Sequence, residues 1–217
     1  MGITLNTGSR DKTIVLISPF LIIAINYFVA IIFGKAIGKW AFIPIVLIEW
    51  CIFVFFVLKY GGVSSVKSWL KKPEGSLGWA ALALLMGIIT IPIFLKNYGL
   101  LTRCEIWLPW ILLALINPWI EEFYWRGLLL DYTKKWNSLL AILFSSVVFA
   151  ANHSVFGVNS ELFKGSAVFI STLIMGIIWA LVYIKTKSLW WSILAHFFVD
   201  FLSLSAPAFL ELFKPGF

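Results

Sequence analysis

A 217-residue chain that is 61% hydrophobic and only 12% charged, with mean hydropathy +0.97, has too few polar groups to coat a water-soluble globule. Its net charge of +7 does not mark a nucleic-acid partner, because the basic residues sit in short segments beside long apolar runs, where they carry topology. The composition calls for a bilayer as the main solvent.

A helix needs about 17 to 25 apolar residues, at about 1.5 Å each, to cross a hydrocarbon core. Runs of about that length occupy 14–33, 41–58, 77–95, 106–130, 138–153, 166–184 and 189–204. A shorter apolar tail, 206–213, reads as an eighth half-span or an interfacial helix. No stretch alternates as the strands of a membrane barrel must. The expected fold is therefore all-α, a polytopic transmembrane helical bundle of about seven spans. It divides into a three-span region 1–105, a core 106–204 and a tail 205–217.

The first run follows a polar start with Arg10 and Lys12 and lacks a small-residue cleavage site, so it is expected to stay as a span. The C-terminal Lys214-Pro215-Gly216-Phe217 lacks a cysteine, which argues against prenylation of this chain. With the N-terminus in the cytoplasm, the inner side carries Arg10, Lys12, Lys59, Lys67, Lys71, Lys72, Lys134, Lys135, Lys185 and Lys187. The outer side carries Lys35, Lys39, Lys96, Arg103, Lys164 and Lys214, a balance that favours N-inside in a plasma membrane. The basic segment 59–76, with Trp69 among lysines, reads equally as an interfacial helix on anionic headgroups or as a solvated loop. Trp107, Trp110, Trp190 and Trp191 read as interfacial anchors. Cys51 and Cys104 offer neither a disulfide framework nor metal-ligand spacing.

The informative residues are ionisable groups within the runs. Glu121, Glu122 and Arg126 lie in the fourth, His153 ends the fifth, and His196 and Asp200 lie in the seventh. Facing lipid, the four charged groups among these would cost on the order of 10 kcal/mol, so they must face one another or water. Residues four apart share a helical face, which pairs Glu122 with Arg126 and His196 with Asp200. The first pair should hold Glu122 ionised, and the second should fix an imidazole tautomer. Glu121 lacks such a partner and is a candidate to take and return a proton, although a helical wheel does not decide between the two glutamates. Glu49, alone in the second run, reads as snorkelling or hydrogen-bonded within the bundle.

A hairpin centred at residue 137 sets Glu121 and Glu122 at the depth of Asn152 and His153. Counted from the start of its run, His196 lies about 12 Å deep against about 22 Å for His153, a mismatch that Asp200 narrows.

Glu121-Glu122-x-x-x-Arg126, Phe149-x-x-x-His153 and His196-x-x-x-Asp200, in that order on separate helices, resemble the motifs of the CAAX protease and bacteriocin-processing (Abi) family of intramembrane endopeptidases. The resemblance covers about 106–204 and implies hydrolysis of a peptide bond in a membrane-associated or lipidated peptide or protein. It implies that Glu121 or Glu122 with His153 activates water, that Arg126 positions the glutamate, and that His196 with Asp200 stabilises the oxyanion. The family is commonly labelled metalloprotease, so Glu122, His153 and His196 are a candidate zinc set, with a metal-free mechanism as the alternative. A short chain without soluble domains resembles the bacterial branch. Two other readings stand beside this one: a non-catalytic immunity or signalling scaffold of the same family, and a proton-coupled transporter, whose repeated halves the sequence lacks.

Overall fold

The computed structural model describes residues 9–214; Pro215, Gly216 and Phe217, part of the tetrapeptide considered for prenylation, lie outside the described residues. Among the described residues every regular element is helical, as expected. Helix α1 (Ser9–Ile37) and α2 (Phe42–Phe56) form an antiparallel hairpin. Its turn passes through Gly38 at φ +58°, a left-handed conformation that glycine adopts without a Cβ penalty. A π-helical turn, Val57–Gly61, leads into α3 (Gly62–Trp69).

The third run is helical but broken. Helix α4 (Leu77–Ile88) stops short of Pro92, which has no N–H to donate, and α5 (Ile91–Asn97) resumes with that proline in its first turn. Helix α6 (Cys104–Glu122) continues through a π-helical turn, Phe123–Leu128, into α7 (Leu129–Thr133). Asn137 caps α8 (Ser138–His153) by accepting the Leu139 N–H at 2.9 Å. Helices α9 (Ser166–Thr186) and α10 (Trp190–Leu202) follow.

Among the described residues, four helical stretches are long and apolar enough to cross a membrane: Arg10–Trp69, which contains nearly all of the α1–α2 hairpin, Leu77–Leu100, Ser138–Val158 and Ser166–Thr186. Helix α10 is shorter, and the α9–α10 turn before it is packed against protein: Thr186, Ser188 and Leu189 are fully buried.

Three expectations need correction. The tail forms neither a half-span nor an interfacial helix; its five-residue α11 (Ser205–Phe209) is buried against α6. Trp69 is not a headgroup anchor but is 2% exposed, with its indole on Asp131. Trp110 is likewise interior, donating to the Phe201 carbonyl at 2.9 Å, whereas Trp107 and Trp190 are exposed.

Packing is organised around α10, which lies against α4 and α6, and around the α8–α9 pair. The central apolar cluster includes Phe53, Tyr124, Trp125, Phe149 and Trp179. Gly87 of α4 sits so close to α10 that a Cβ there would lie 2.5 Å from the Phe198 Cβ and 2.9 Å from the Ala195 carbonyl oxygen. With Ala83, fully buried one turn earlier, it forms the small-residue contact by which membrane helices approach closely.

Candidate active site

Helix α6 with the π-helical turn that continues it, α8 and α10 bring all six motif residues into one cluster. Arg126, one α-helical turn beyond Glu122 in sequence, donates from Nη1 to Glu122 Oε1 at 2.8 Å, and both side chains are fully buried. The pairing expected from their spacing forms even though the π turn begins between them. The guanidinium lies over the Phe149 ring at 4.0 Å and near Trp179 at 5.3 Å. Phe149 thus offers a π-face to a charge removed from water.

His196 Nδ1 meets Glu122 Oε1 at 3.0 Å, and its ring stacks on Trp179 with centroids 4.8 Å apart. Its Nε2 is 3.7 Å from Asp200 Oδ2, beyond hydrogen-bonding distance. The carboxylate that orients this imidazole is therefore Glu122, on another helix, and not the i+4 aspartate the spacing suggested.

His153 Nδ1 pairs with the Phe149 carbonyl at 3.0 Å. A carbonyl only accepts, so the hydrogen is on Nδ1, and Nε2 faces Glu121 Oε2 at 4.0 Å. Glu121 Oε2 is buried with no hydrogen-bond partner among the described residues. The two glutamates differ accordingly: Glu122 is committed to Arg126 and His196, while Glu121 faces the second histidine. Side chains of His153 and Asp200 retain 19% and 15% exposure, so the cluster opens on their side.

Four polar residues that a search for charge alone passes over complete the arrangement. Asn26 of α1 donates to Glu49 Oε2 at 2.7 Å and to Asn152 Oδ1 at 2.9 Å, and Asn152 donates to Glu49 Oε1 at 3.0 Å. All three are buried, and Asn152 immediately precedes His153. Beside Glu49, Trp50 donates to Asn117 Oδ1 at 2.7 Å, and Asn117 donates to Asp200 Oδ2 at 3.1 Å. One dipeptide of α2 thus braces both histidine-bearing helices. Intramembrane asparagines, costly without partners, were the signal available in the sequence.

The candidate zinc set does not fit this geometry. Among the described residues no group of three His, Cys, Asp or Glu side chains is placed to hold a metal ion. Glu122 Oε1, the expected ligand oxygen, already receives Arg126 and His196, and a cation on it would face a buried guanidinium.

Two histidines and three carboxylates converging on a buried cluster in a helical membrane protein mark a candidate functional site. Residues 103–202 match the family model described as type II CAAX prenyl endopeptidase, Rce1-like. That match agrees with the family its motifs resemble and supports intramembrane endopeptidase activity. The chain matches no curated protein and no solved structure at a significant level.

Proposed function

We propose that the chain hydrolyses a peptide bond of a membrane-associated or lipidated peptide, with Glu121 and His153 as the water-activating pair. The observation that carries this reading is the 4.0 Å separation of Glu121 Oε2 from His153 Nε2, each with acceptor capacity aimed at the same space. A water at about 2.8 Å from both bridges that gap. Glu121 takes its proton, the water oxygen bonds to the scissile carbonyl carbon, and the carbonyl π electrons move onto oxygen.

His196, carrying a hydrogen on each ring nitrogen, gives Nδ1–H to Glu122 and offers Nε2–H to that oxyanion. When the oxyanion collapses, the C–N bond breaks and the departing amine takes the proton from Glu121. Glu122 and Arg126 act as positioning residues that fix His196. Asp200, held by Asn117, borders the same space.

The test is cleavage by the full chain in proteoliposomes of two fluorogenic probes: a peptide with a farnesylated cysteine and an unlipidated double-glycine leader peptide. Glu121→Gln and His153→Ala should each lower kcat by about 10² to 10⁴ while leaving an inserted, thermally stable protein. Wild-type rates in either variant overturn the assignment. A double variant that loses cleavage yet keeps the cellular phenotype favours the scaffold reading.

A further inference from the structure

At the end of the bundle where α8 begins, away from the histidine where it finishes, three connections converge. Glu74 N–H donates to the Thr186 carbonyl at 2.8 Å, the Ser188 hydroxyl to the Lys71 carbonyl at 2.7 Å, and Trp190 Nε1–H to the Leu70 carbonyl at 2.8 Å. Beside them is a cavity of about 430 Å³ lined by Ser65, Asp131, Lys134, Trp136, Tyr183 and Lys187, among others.

Its acidic group is an acceptor only partly used. Asp131 takes Trp69 Nε1–H on Oδ2 at 2.9 Å and the Tyr183 hydroxyl on Oδ1 at 3.0 Å, which leaves each oxygen a further lone pair. Its basic groups are Lys71, Lys134 and Lys187. Lys71 is paired with Glu74 at 2.8 Å, whereas among the described residues neither Lys134 nor Lys187 forms an ion pair. Lys187 is held at the cavity in a left-handed conformation, φ +55°, which residues with a Cβ rarely adopt.

Trp136 also walls a second, apolar depression of about 720 Å³, which runs along α8 past Leu140, Leu143, Phe144 and Val147, with Phe20 of α1 beside it. From residue 137 to residue 148 the groove descends about 16 Å, roughly half of an approximately 30 Å hydrocarbon core and so about one leaflet.

We propose that cavity and groove form one binding site for a glycerophospholipid with a phosphoethanolamine head. The ammonium sits on Asp131, the phosphate between Lys134 and Lys187, and one acyl chain lies in the α8 groove. The order of charges selects this head. A wholly anionic head would set negative charge against Asp131, and a phosphocholine tip has no N–H to donate to it. The one-leaflet length and the wall shared at Trp136 select a membrane lipid over a soluble phosphate.

Native mass spectrometry of the full purified chain, titrated with phosphatidylethanolamine, phosphatidylglycerol and phosphatidylcholine of matched chains, tests the site. Phosphatidylethanolamine should be retained preferentially at one copy. The Lys134→Ala, Lys187→Ala double variant should bind it about 30-fold more weakly, about 5-fold for each cation near the headgroup phosphate. Asp131→Asn should erase the preference over phosphatidylcholine. Val147→Trp, which fills the groove and leaves the cavity intact, should weaken binding of all three lipids. Equal retention of the three lipids by the wild type, or binding indifferent to the lysine pair, overturns the proposal. Displacement of the lipid by soluble glycerophosphoethanolamine at equal concentration assigns the cavity to a free phosphate ester and also overturns it, as does displacement by a farnesylated peptide.

Discussion

Replacing Gly87 by alanine should damage the site from a helix that contributes no motif residue. The new Cβ would stand 2.5 Å from Phe198 Cβ and 2.9 Å from the Ala195 carbonyl oxygen, where ordinary contact needs about 3.5 to 4.0 Å. The carbonyl belongs to the backbone of α10, so no side-chain rotation relieves it, and α4 and α10 must separate by about 1 Å. Overpacking of this kind costs about 1 to 3 kcal/mol. His196 follows Ala195 directly, and its 3.0 Å contact with Glu122 leaves no slack. A displacement of about 1 Å at a reacting group can cost on the order of 10² in rate. Thermal unfolding in detergent and proteoliposome cleavage should report both losses, with Leu85→Ala, an exposed position on the same helix, as control. A Gly87→Ala protein with wild-type melting and wild-type rate would refute the close-contact reasoning.

Glu49→Ala removes the acceptor of one Asn26 amide N–H, whose other bond to Asn152 remains, and of the Asn152 amide donor in a buried setting, at about 1 to 3 kcal/mol for each unmade bond, and should lower both the melting temperature and kcat; an unchanged melting temperature would remove Glu49 from the brace. Arg126→Lys keeps the charge but loses the flat guanidinium over Phe149 and Trp179, so it should destabilise the protein by about 1 to 2 kcal/mol, read by denaturant unfolding; a variant indistinguishable from wild type speaks against the stacked ion pair. In the tail, Lys39 at 2.5 Å holds the Glu211 carboxyl down to about 2, below the ordinary 4.5. A carboxyl depressed on folding stabilises the fold above its unfolded value and loses that contribution as pH falls through its folded value. Amide protection of α11 should therefore persist from pH 7 to about pH 4.5 and weaken toward pH 2; a Glu211→Gln variant with the same profile would dismiss the link.

The helical class and the meeting of α6 with α8 were legible, because continuous apolar runs fix the first and a short polar turn at residue 137 fixes the second. Glu121 and His153 do lie opposite each other. The depth of His196 was misjudged for an identifiable reason: it was counted from Ser188 as though that residue lay at the surface. Ser188 is fully buried beneath the α3–α4 connection, its hydroxyl on the Lys71 carbonyl. Helix α10 therefore starts beneath other parts of the chain, where a residue count from Ser188 does not measure depth, and His196 reaches Glu122 at 3.0 Å. Burial of a turn under a distant segment leaves no trace in local hydropathy. The asparagine network was hidden differently, because single amides hardly lower a run's hydropathy and reveal themselves only through partners on other helices.

The π turn at Phe123–Leu128 makes one helix answer to two geometries. Glu122 and Asp131 are nine residues apart, and an unbroken α-helix would aim them about 180° apart. A π turn accommodates about one extra residue and holds back the winding by about 100°, leaving the two directions within roughly 80° of each other. Glu122 can then face His196 while Asp131 reaches Trp69 and Tyr183. The helix behaves as a shaft with an offset coupling: wound as unbroken α-helix at the same length, its two ends could not be in phase with their partners together, whereas deleting one residue at the π turn would straighten the helix and keep both ends aligned.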